Sequence, residues 1–150
     1  MTESGDRIVV VTGGSRGIGR AICAALSAPG TTVYFNYNSN LDAAKTTAKG
    51  ISAAGGTACY HQVDVASESA VSDYLGAVLK ASGRIDGLVN NAGITRDGLL
   101  VRLKETDWDA VIDVNLKGTF NCMKVAAKAM MKQRYGRIIN ISSVVGVSGN

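Results

Sequence analysis

The chain is short of several things that would have pointed it elsewhere. It has 150 residues with one proline, one histidine, one tryptophan and three cysteines, and aromatics make up only 5%. Cys23, Cys59 and Cys122 are odd in number and far apart, so neither a disulfide framework nor a Cys-x-x-Cys zinc site is indicated. A single proline excludes a proline-rich linker. No run approaches the ~18–20 apolar residues of a membrane span. The opening residues, Met1 to Arg7, are polar and contain no apolar signal region. A cytoplasmic, reduced protein is the expectation. The net charge of +4 is mild and the basic residues form no long run, which argues against nucleic acid as a partner.

What the chain does have is 46% hydrophobic residues and 18 glycines, the composition of a packed domain joined by tight turns. Strand-like and helix-like stretches alternate. Arg7–Thr12 is a β-branched run without polar alternation, as in strands buried on both faces. A helix follows, with Ile18, Ala21, Ile22, Ala25 and Leu26 as its expected inner face and Pro29-Gly30 as its stop. Thr32–Asn36 reads as the second strand, Leu41–Ala54 as the second helix and Thr57–Val63 as the third strand. Ser67 is placed to N-cap a helix that ends near Gly83. Asp86–Asn90 is a fourth strand. Thr106-Asp107-Trp108-Asp109 resembles a capping box that opens a long helix to about Gln133. Trp108, Val111, Ile112, Leu116, Phe120, Met123, Ala127 and Met130 form that helix's expected apolar stripe. Arg137–Ile141 is a fifth strand, with Ile138, Ile139 and Ile141 as an exposed hydrophobic edge. This order predicts an α/β fold with a doubly wound parallel sheet in one domain. Ligands of such sheets bind beyond the carboxyl ends of the strands, where the strand order reverses.

The chemistry-bearing residues fall at those ends. Gly13-Gly14-Ser15-Arg16-Gly17-Ile18-Gly19 lies between the first strand and the first helix. Glycines there let the backbone turn sharply towards a pyrophosphate, and the helix start offers free N–H groups to it. Arg16 is either a solvated side chain or a phosphate ligand. The second strand decides between these. It ends Asn36-Tyr37-Asn38-Ser39, with no carboxylate to bind a ribose 2′-hydroxyl. Nothing there repels a 2′-phosphate, and Arg16 can bind one. NADP(H) is therefore predicted over NAD(H). Asp64-Val65 after the third strand read first as a turn. Asn90-Asn91-Ala92-Gly93 after the fourth reads equally as a turn or as a cofactor wall. Asn115 has two readings: a core amide satisfied by neighbouring backbone, or a side chain that orders a water or a catalytic group. Ser142-Ser143 after the fifth strand are ordinary turn residues when taken alone. His61, within strand three, reads as a partly buried strand residue, and no Gly-x-Ser-x-Gly elbow is present. Lys124, Lys128 and Lys132 recur along one helix face, which is usually a solvated one.

Taken together, Thr12–Gly19, Asn90–Gly93, Asn115 within Val114-Asn115-Leu116, and Ile141-Ser142-Ser143 resemble the short-chain dehydrogenase/reductase family, with its Rossmann-type fold. The likeness runs through the whole chain in order. Ile94–Leu100 and Gly136–Gly146 are most similar to the 3-oxoacyl-[acyl-carrier-protein] reductase branch. Trp108–Asp113 is shared with acetoacetyl-CoA reductases. The resemblance implies NADPH-dependent reduction of a 3-oxoacyl thioester in fatty-acid synthesis, on an acyl-carrier-protein or CoA substrate. It also implies roles. Gly13, Gly14, Ser15, Arg16 and Ile18 would hold the cofactor phosphates and Asn38 the 2′-phosphate region. Asp64 and Val65 would contact adenine, and Asn91, Ala92 and Gly93 the ribose region. Asn115 would order a relay water, and Ser143 would bind the substrate carbonyl. Lys132 and Arg134 would face an acidic carrier protein. A homo-tetramer is implied for the longer protein, with the long helix at an interface. The family's Tyr-x-x-x-Lys pair is not found. Four residues beyond Tyr34, Tyr37, Tyr60, Tyr74 and Tyr135 stand Asn38, Leu41, Asp64, Val78 and Ile139. The expectation is a binding portion that lacks the proton donor and is inactive alone, or a non-catalytic dinucleotide-binding module.

Overall fold

A computed structural model describes residues 7–149; most of the polar opening segment, residues 1–6, and Asn150 lie outside the described residues. Five strands form one parallel sheet: β1 (Arg7–Val11), β2 (Thr31–Tyr37), β3 (Thr57–Gln62), β4 (Gly87–Asn90) and β5 (Arg137–Asn140). Their spatial order is β3-β2-β1-β4-β5, with every neighbouring pair parallel. The chain thus builds outwards from β1 to β3, then returns to the other side of β1 with β4. That reversal opens a crevice between the carboxyl ends of β1 and β4, as expected for a doubly wound sheet.

Alternation within the strands feeds two cores. Val9, Val11, Val33, Phe35 and Val89 meet Cys23 of α1 (Gly17–Leu26) and Ile51 of α2 (Leu41–Ala53) on one face. Val10, Tyr34 and Leu88 meet Leu75 and Val78 of α3 (Glu68–Ser82) on the other. The second face also packs Cys122, Ala126 and Met130 of α5 (Gly118–Gln133). Fully burying side chains of this size is worth ~1.5–3 kcal/mol each, so the continuous apolar strands supply the core on both faces. Ser67 caps α3 as anticipated, its hydroxyl accepting the Ala70 N–H at 3.3 Å, and Gly83 ends that helix at φ 72°.

Two expectations about the helices are corrected. The inner face of α1 is Gly19 and Cys23 with half-buried Ile22 and Leu26, whereas Ile18, Ala21 and Ala25 are exposed. The helix lies so close to the β1 turn that only a glycine fits at the contact. The long helix is also not continuous. α4 (Glu105–Val111) is followed by a π turn, Ile112–Lys117, before α5 begins. Its N-cap is Lys104, without a side-chain cap bond, so the anticipated capping box does not form. The π turn shifts the helical phase. Trp108, Leu116 and Phe120 are exposed, and the buried positions of α5 are Gly118, Asn121, Cys122, Ala126 and Met130.

β5 has a neighbour on one side only among the described residues, and Ile139 and Ile141 are exposed along that region. A short helix, α6 (Val145–Ser148), follows it. His61 is exposed rather than partly buried, with its ring 5.4 Å from that of Tyr74. No helix among the described residues is long and apolar enough to cross a membrane.

Candidate functional site

A cleft of about 650 Å³ opens at the carboxyl ends of β1, β2, β3 and β4. This lies within the size range of sites that take small organic ligands, ~300–1,000 Å³. The glycine turn forms one wall. Gly13 and Gly17 have φ of 64° and 54°, a region that favours glycine. Gly14 faces away from the cleft, where a Cβ would lie 2.6 Å from Phe35 Cβ and 2.9 Å from Cys23 Sγ. A Cβ on Gly19 would meet the Gly13 carbonyl oxygen. A Cβ on Gly17 would meet nothing within 4 Å, so the turn leaves a smooth, open concavity at the head of α1. That shape, with the free N–H groups of a ten-residue helix behind it, fits a pyrophosphate.

Of the positions marked by sequence for the cofactor, Gly13, Ser15, Arg16, Ile18, Asn38, Asp64, Val65, Asn91, Ala92 and Gly93 all line this cleft. Gly14 does not; it is the packing glycine behind the turn. Ile18, 65% exposed, is a rim residue and not a core one. Asn36, Tyr37 and Ser39, which the sequence marked only as a strand end without a carboxylate, lie on the same wall, as does Asn40. Asn36 is the structural member of that group. Its Oδ1 accepts the Gly13 N–H at 3.1 Å and its Nδ2 donates to the Val63 carbonyl at 2.9 Å, tying together the ends of β1, β2 and β3. A buried amide at a strand end was the available signal for it.

The opposite wall is held by hydroxyl and amide bonds. Thr12 Oγ1 accepts the N–H groups of Asn91 and Ala92 at 3.0 and 2.9 Å. Asn91 Nδ2 donates to the carbonyls of Thr12 and Gly13 at 3.0 and 3.2 Å. The Asn91 amide therefore locks the β4 exit to the β1 turn. Among the described residues, Asp64 is the only carboxylate on the cleft wall, and its Oδ1 accepts the Ala66 N–H at 2.9 Å. Arg16 is the only cation there among the same residues.

Asn115 sits in the π turn, exposed, outside the cleft lining. Its Oδ1 accepts the Ile94 N–H at 2.8 Å and its Nδ2 donates to the Ile94 carbonyl at 2.9 Å. Of the two readings of Asn115, the geometry displays the amide satisfied by neighbouring backbone, although at the surface. The π turn aims it, which is a frequent use of such turns. Ser143 is further away, in the segment after β5, where its Oγ accepts the Val145 N–H at 3.3 Å. It does not line the cleft. Lys124 is paired with Glu68 at 2.9 Å, while Lys132 and Arg134 are exposed at the far end of α5.

Residues 7–150 match the family profile of short chain dehydrogenases. The chain belongs to the short-chain dehydrogenase family. Its similarity to individual members is high throughout. It is 49% identical over all 150 residues to a 3-oxoacyl-[acyl-carrier-protein] reductase of Synechocystis, covering 61% of that protein. It is 48% identical over the same length to the 3-oxoacyl-[acyl-carrier-protein] reductase FabG of Staphylococcus aureus, covering 59% of it. Among solved structures, a metagenomic short-chain oxidoreductase in complex with NADP superposes with a TM-score of 0.89 at 39% identity. That match covers 97% of this chain and 66% of the other. The chain thus spans about three-fifths of the length of the curated relatives it matches. In this short-chain dehydrogenase chain, the cleft residues, the sheet and the π turn all lie within the matched segment.

Proposed function

We propose that residues 1–150 form the NADP(H)-binding domain of a reductase that converts a 3-oxoacyl thioester to the 3-hydroxyacyl thioester. The observation that carries the cofactor choice is the wall beyond β2. It presents Asn36, Tyr37, Asn38, Ser39 and Asn40 and no carboxylate, with Arg16 across from it as the one cation among the described cleft residues. A 2′-phosphate meets no like charge there, and a guanidinium can give it two charge-assisted hydrogen bonds. The relative solved with NADP supports the same choice.

When bound, the nicotinamide would supply the hydride. The chain's own residues bind and orient. Gly13, Gly14, Ser15 and Ile18 shape the pyrophosphate turn, Asp64 and Val65 flank the adenine end, and Asn91, Ala92 and Gly93 wall the ribose. Asn115, through Ile94, holds that wall, and the family resemblance assigns it the ordering of a relay water. Ser143 would bind the substrate carbonyl oxygen. None of the five tyrosines has a lysine four residues on, so these 150 residues bind cofactor without turnover. The acyl-carrier-protein thioester is favoured as substrate by the curated relatives; acetoacetyl-CoA is the second candidate. Exposed Trp108, Leu116, Phe120 and Met131 support assembly of the longer protein, as a tetramer, through its long helices. A cytoplasmic location is part of the same proposal.

Titration of the chain with NADPH and NADH by nicotinamide fluorescence tests the cofactor reading. NADPH should bind at least ~10-fold tighter, the weight of one charge-assisted contact. Equal or better NADH binding overturns it. Addition of an acetoacetyl thioester to the NADPH complex should leave the nicotinamide absorbance unchanged; oxidation by the chain overturns the assignment of inactivity.

A further inference from the structure

Arg20 stands one residue beyond the last glycine of the turn, half-buried, with its guanidinium committed to backbone on two elements. Its Nη2 donates to the Ser15 carbonyl at 2.6 Å and to the Ala43 carbonyl at 3.2 Å. Its Nε reaches the Ser15 carbonyl at 3.2 Å and Thr47 Oγ1 at 3.0 Å. Thr47, buried on α2, has its own Oγ1 3.1 Å from that same Ser15 oxygen. One carbonyl of the glycine turn therefore faces donors from two side chains. Ser15 is buried and its carbonyl must be satisfied within the protein, but a single donor would do that, and this arrangement places three within reach. It fixes a peptide plane. All described peptide bonds are trans, so the carbonyl and the N–H of the Ser15–Arg16 link point in opposite directions. Drawing the Ser15 oxygen towards α2 turns the Arg16 N–H away from α2. Ser15 and Arg16 both line the cleft, and Arg16 is the N-cap of α1.

We propose that Arg20, with Thr47, is a positioning residue for the dinucleotide: it holds the Ser15 carbonyl against α2 and so aims the Arg16 amide at the pyrophosphate. This rests on the reading of the cleft as a dinucleotide site. Arg20 contributes here as a fork, since a planar guanidinium can serve Ser15, Ala43 and Thr47 at once, whereas an ammonium is a compact point charge on a flexible stem. The same contacts join the pyrophosphate turn to α2, whose N-cap Asn40 stands on the carboxylate-free wall.

The test compares two ligands on the 150-residue chain: NADPH, and adenosine 2′-monophosphate, which lacks the pyrophosphate. Arg20→Gln should weaken NADPH about 10-fold or more and change adenosine 2′-monophosphate by less than about two-fold, the scale of losing hydrogen bonds from a charged group. Arg20→Lys keeps the charge and should stay weakened about five-fold or more for NADPH, because the fork is lost. Thr47→Val, close to isosteric and free of any charge change, should weaken NADPH about three-fold, the scale of one neutral hydrogen bond. It keeps the proposal testable should Arg20→Gln fail to fold. The proposal is overturned if NADPH affinity is unchanged, if both ligands weaken equally, or if lysine restores the parent affinity, which would indicate charge acting through space. If the parent chain binds neither ligand, the dinucleotide reading itself fails and this inference fails with it. Parent binding with an unaffected Arg20→Gln removes the inference alone.

Discussion

Two glycines of the same turn, Gly17 and Gly19, should fail in opposite ways when replaced by alanine. On Gly19 the added methyl would press on the Gly13 carbonyl oxygen and lie 2.5 Å from Asn91 Nδ2. Comfortable heavy-atom contacts are ~3.5–4.0 Å, so about 1 Å of movement is required. Neither neighbour is free to give it. Gly13 is backbone, and Asn91 Nδ2 is bonded to the carbonyls of Thr12 and Gly13. Overpacking of this kind costs ~1–3 kcal/mol, and a constrained backbone places it at the upper end. Loss of the Asn91 bonds adds ~1 kcal/mol. On Gly17 the methyl meets nothing within 4 Å, and the cost is that of holding alanine at φ 54°, ~1–2 kcal/mol. A chain of this size loses ~2–4 °C of Tm per kcal/mol. Gly19→Ala should therefore fall by roughly 6–15 °C and Gly17→Ala by roughly 2–8 °C. Ligand binding should be sensitive at Gly17, which lines the cleft with open space where the methyl would stand: its NADPH affinity should drop about 10-fold, more than its stability loss alone suggests. Thermal unfolding midpoints and NADPH titrations read both quantities. If Gly19→Ala unfolds at the parent midpoint, or if Gly17→Ala is the less stable of the two, the steric reasoning is wrong.

Other perturbations have equally defined outcomes. Asn115→Ala removes two hydrogen bonds to Ile94 and should cost ~1–2 kcal/mol in urea unfolding, with NADPH affinity down about three-fold as the Gly93–Ile94 wall loosens. Gln133→Ala removes the matching pair at Ile85, where Oε1 accepts the N–H at 3.0 Å and Nε2 donates to the carbonyl at 2.9 Å. It should cost a similar ~1–2 kcal/mol and leave NADPH affinity within about two-fold. Burial pushes the Cys23 and Cys122 thiols from 9.0 up to about 12. Their folded-state values lie above the unfolded ones, so their contribution is complete below pH 9 and declines as pH rises towards 12. The urea midpoint should fall between about pH 8 and about pH 10.5; a flat profile contradicts it. At about pH 8 a thiol reagent should modify half-buried Cys59 well before either buried thiol.

The sheet was legible because its evidence is redundant. Unbroken apolar strands, turn glycines and the strand–helix alternation all specify one parallel topology, and the cleft follows from the reversal at β1 and β4. The cleft lining was legible for the same reason, since its residues directly follow strands. Where the reading failed, a local geometric exception had displaced a periodic one. One extra residue in the Ile112–Lys117 turn rotates the downstream helix by ~100°. This put Phe120 outside and brought Gly118, Asn121 and Cys122 inside; Trp108 precedes the turn, in α4, and is exposed independently of it. In α1 the periodic pattern favoured Ile18 and Ala21, but the contact with Gly13 admits only Gly19, and close approach outranks hydrophobicity there. Arg20 was invisible for a different reason. An arginine on a helix reads as a solvated charge, and only the tertiary fold shows that the Ser15 carbonyl lies within its reach.

The pair of side-chain amides at Ile85 and Ile94 has a mechanical consequence. The segment from Asp86 to Gly93 carries β4 and one wall of the cleft, and it is gripped at its two ends by Gln133 and Asn115. Both grips belong to the arm made of the π turn and α5. The arm therefore works as a handle fixed at both ends, and a tilt of α5 cannot slip past the strand without breaking four hydrogen bonds. Amide exchange offers a direct view of this stiffness. The Ile94 N–H sits in an exposed loop, yet it should exchange in step with the helix that holds it and not with the loop that contains it.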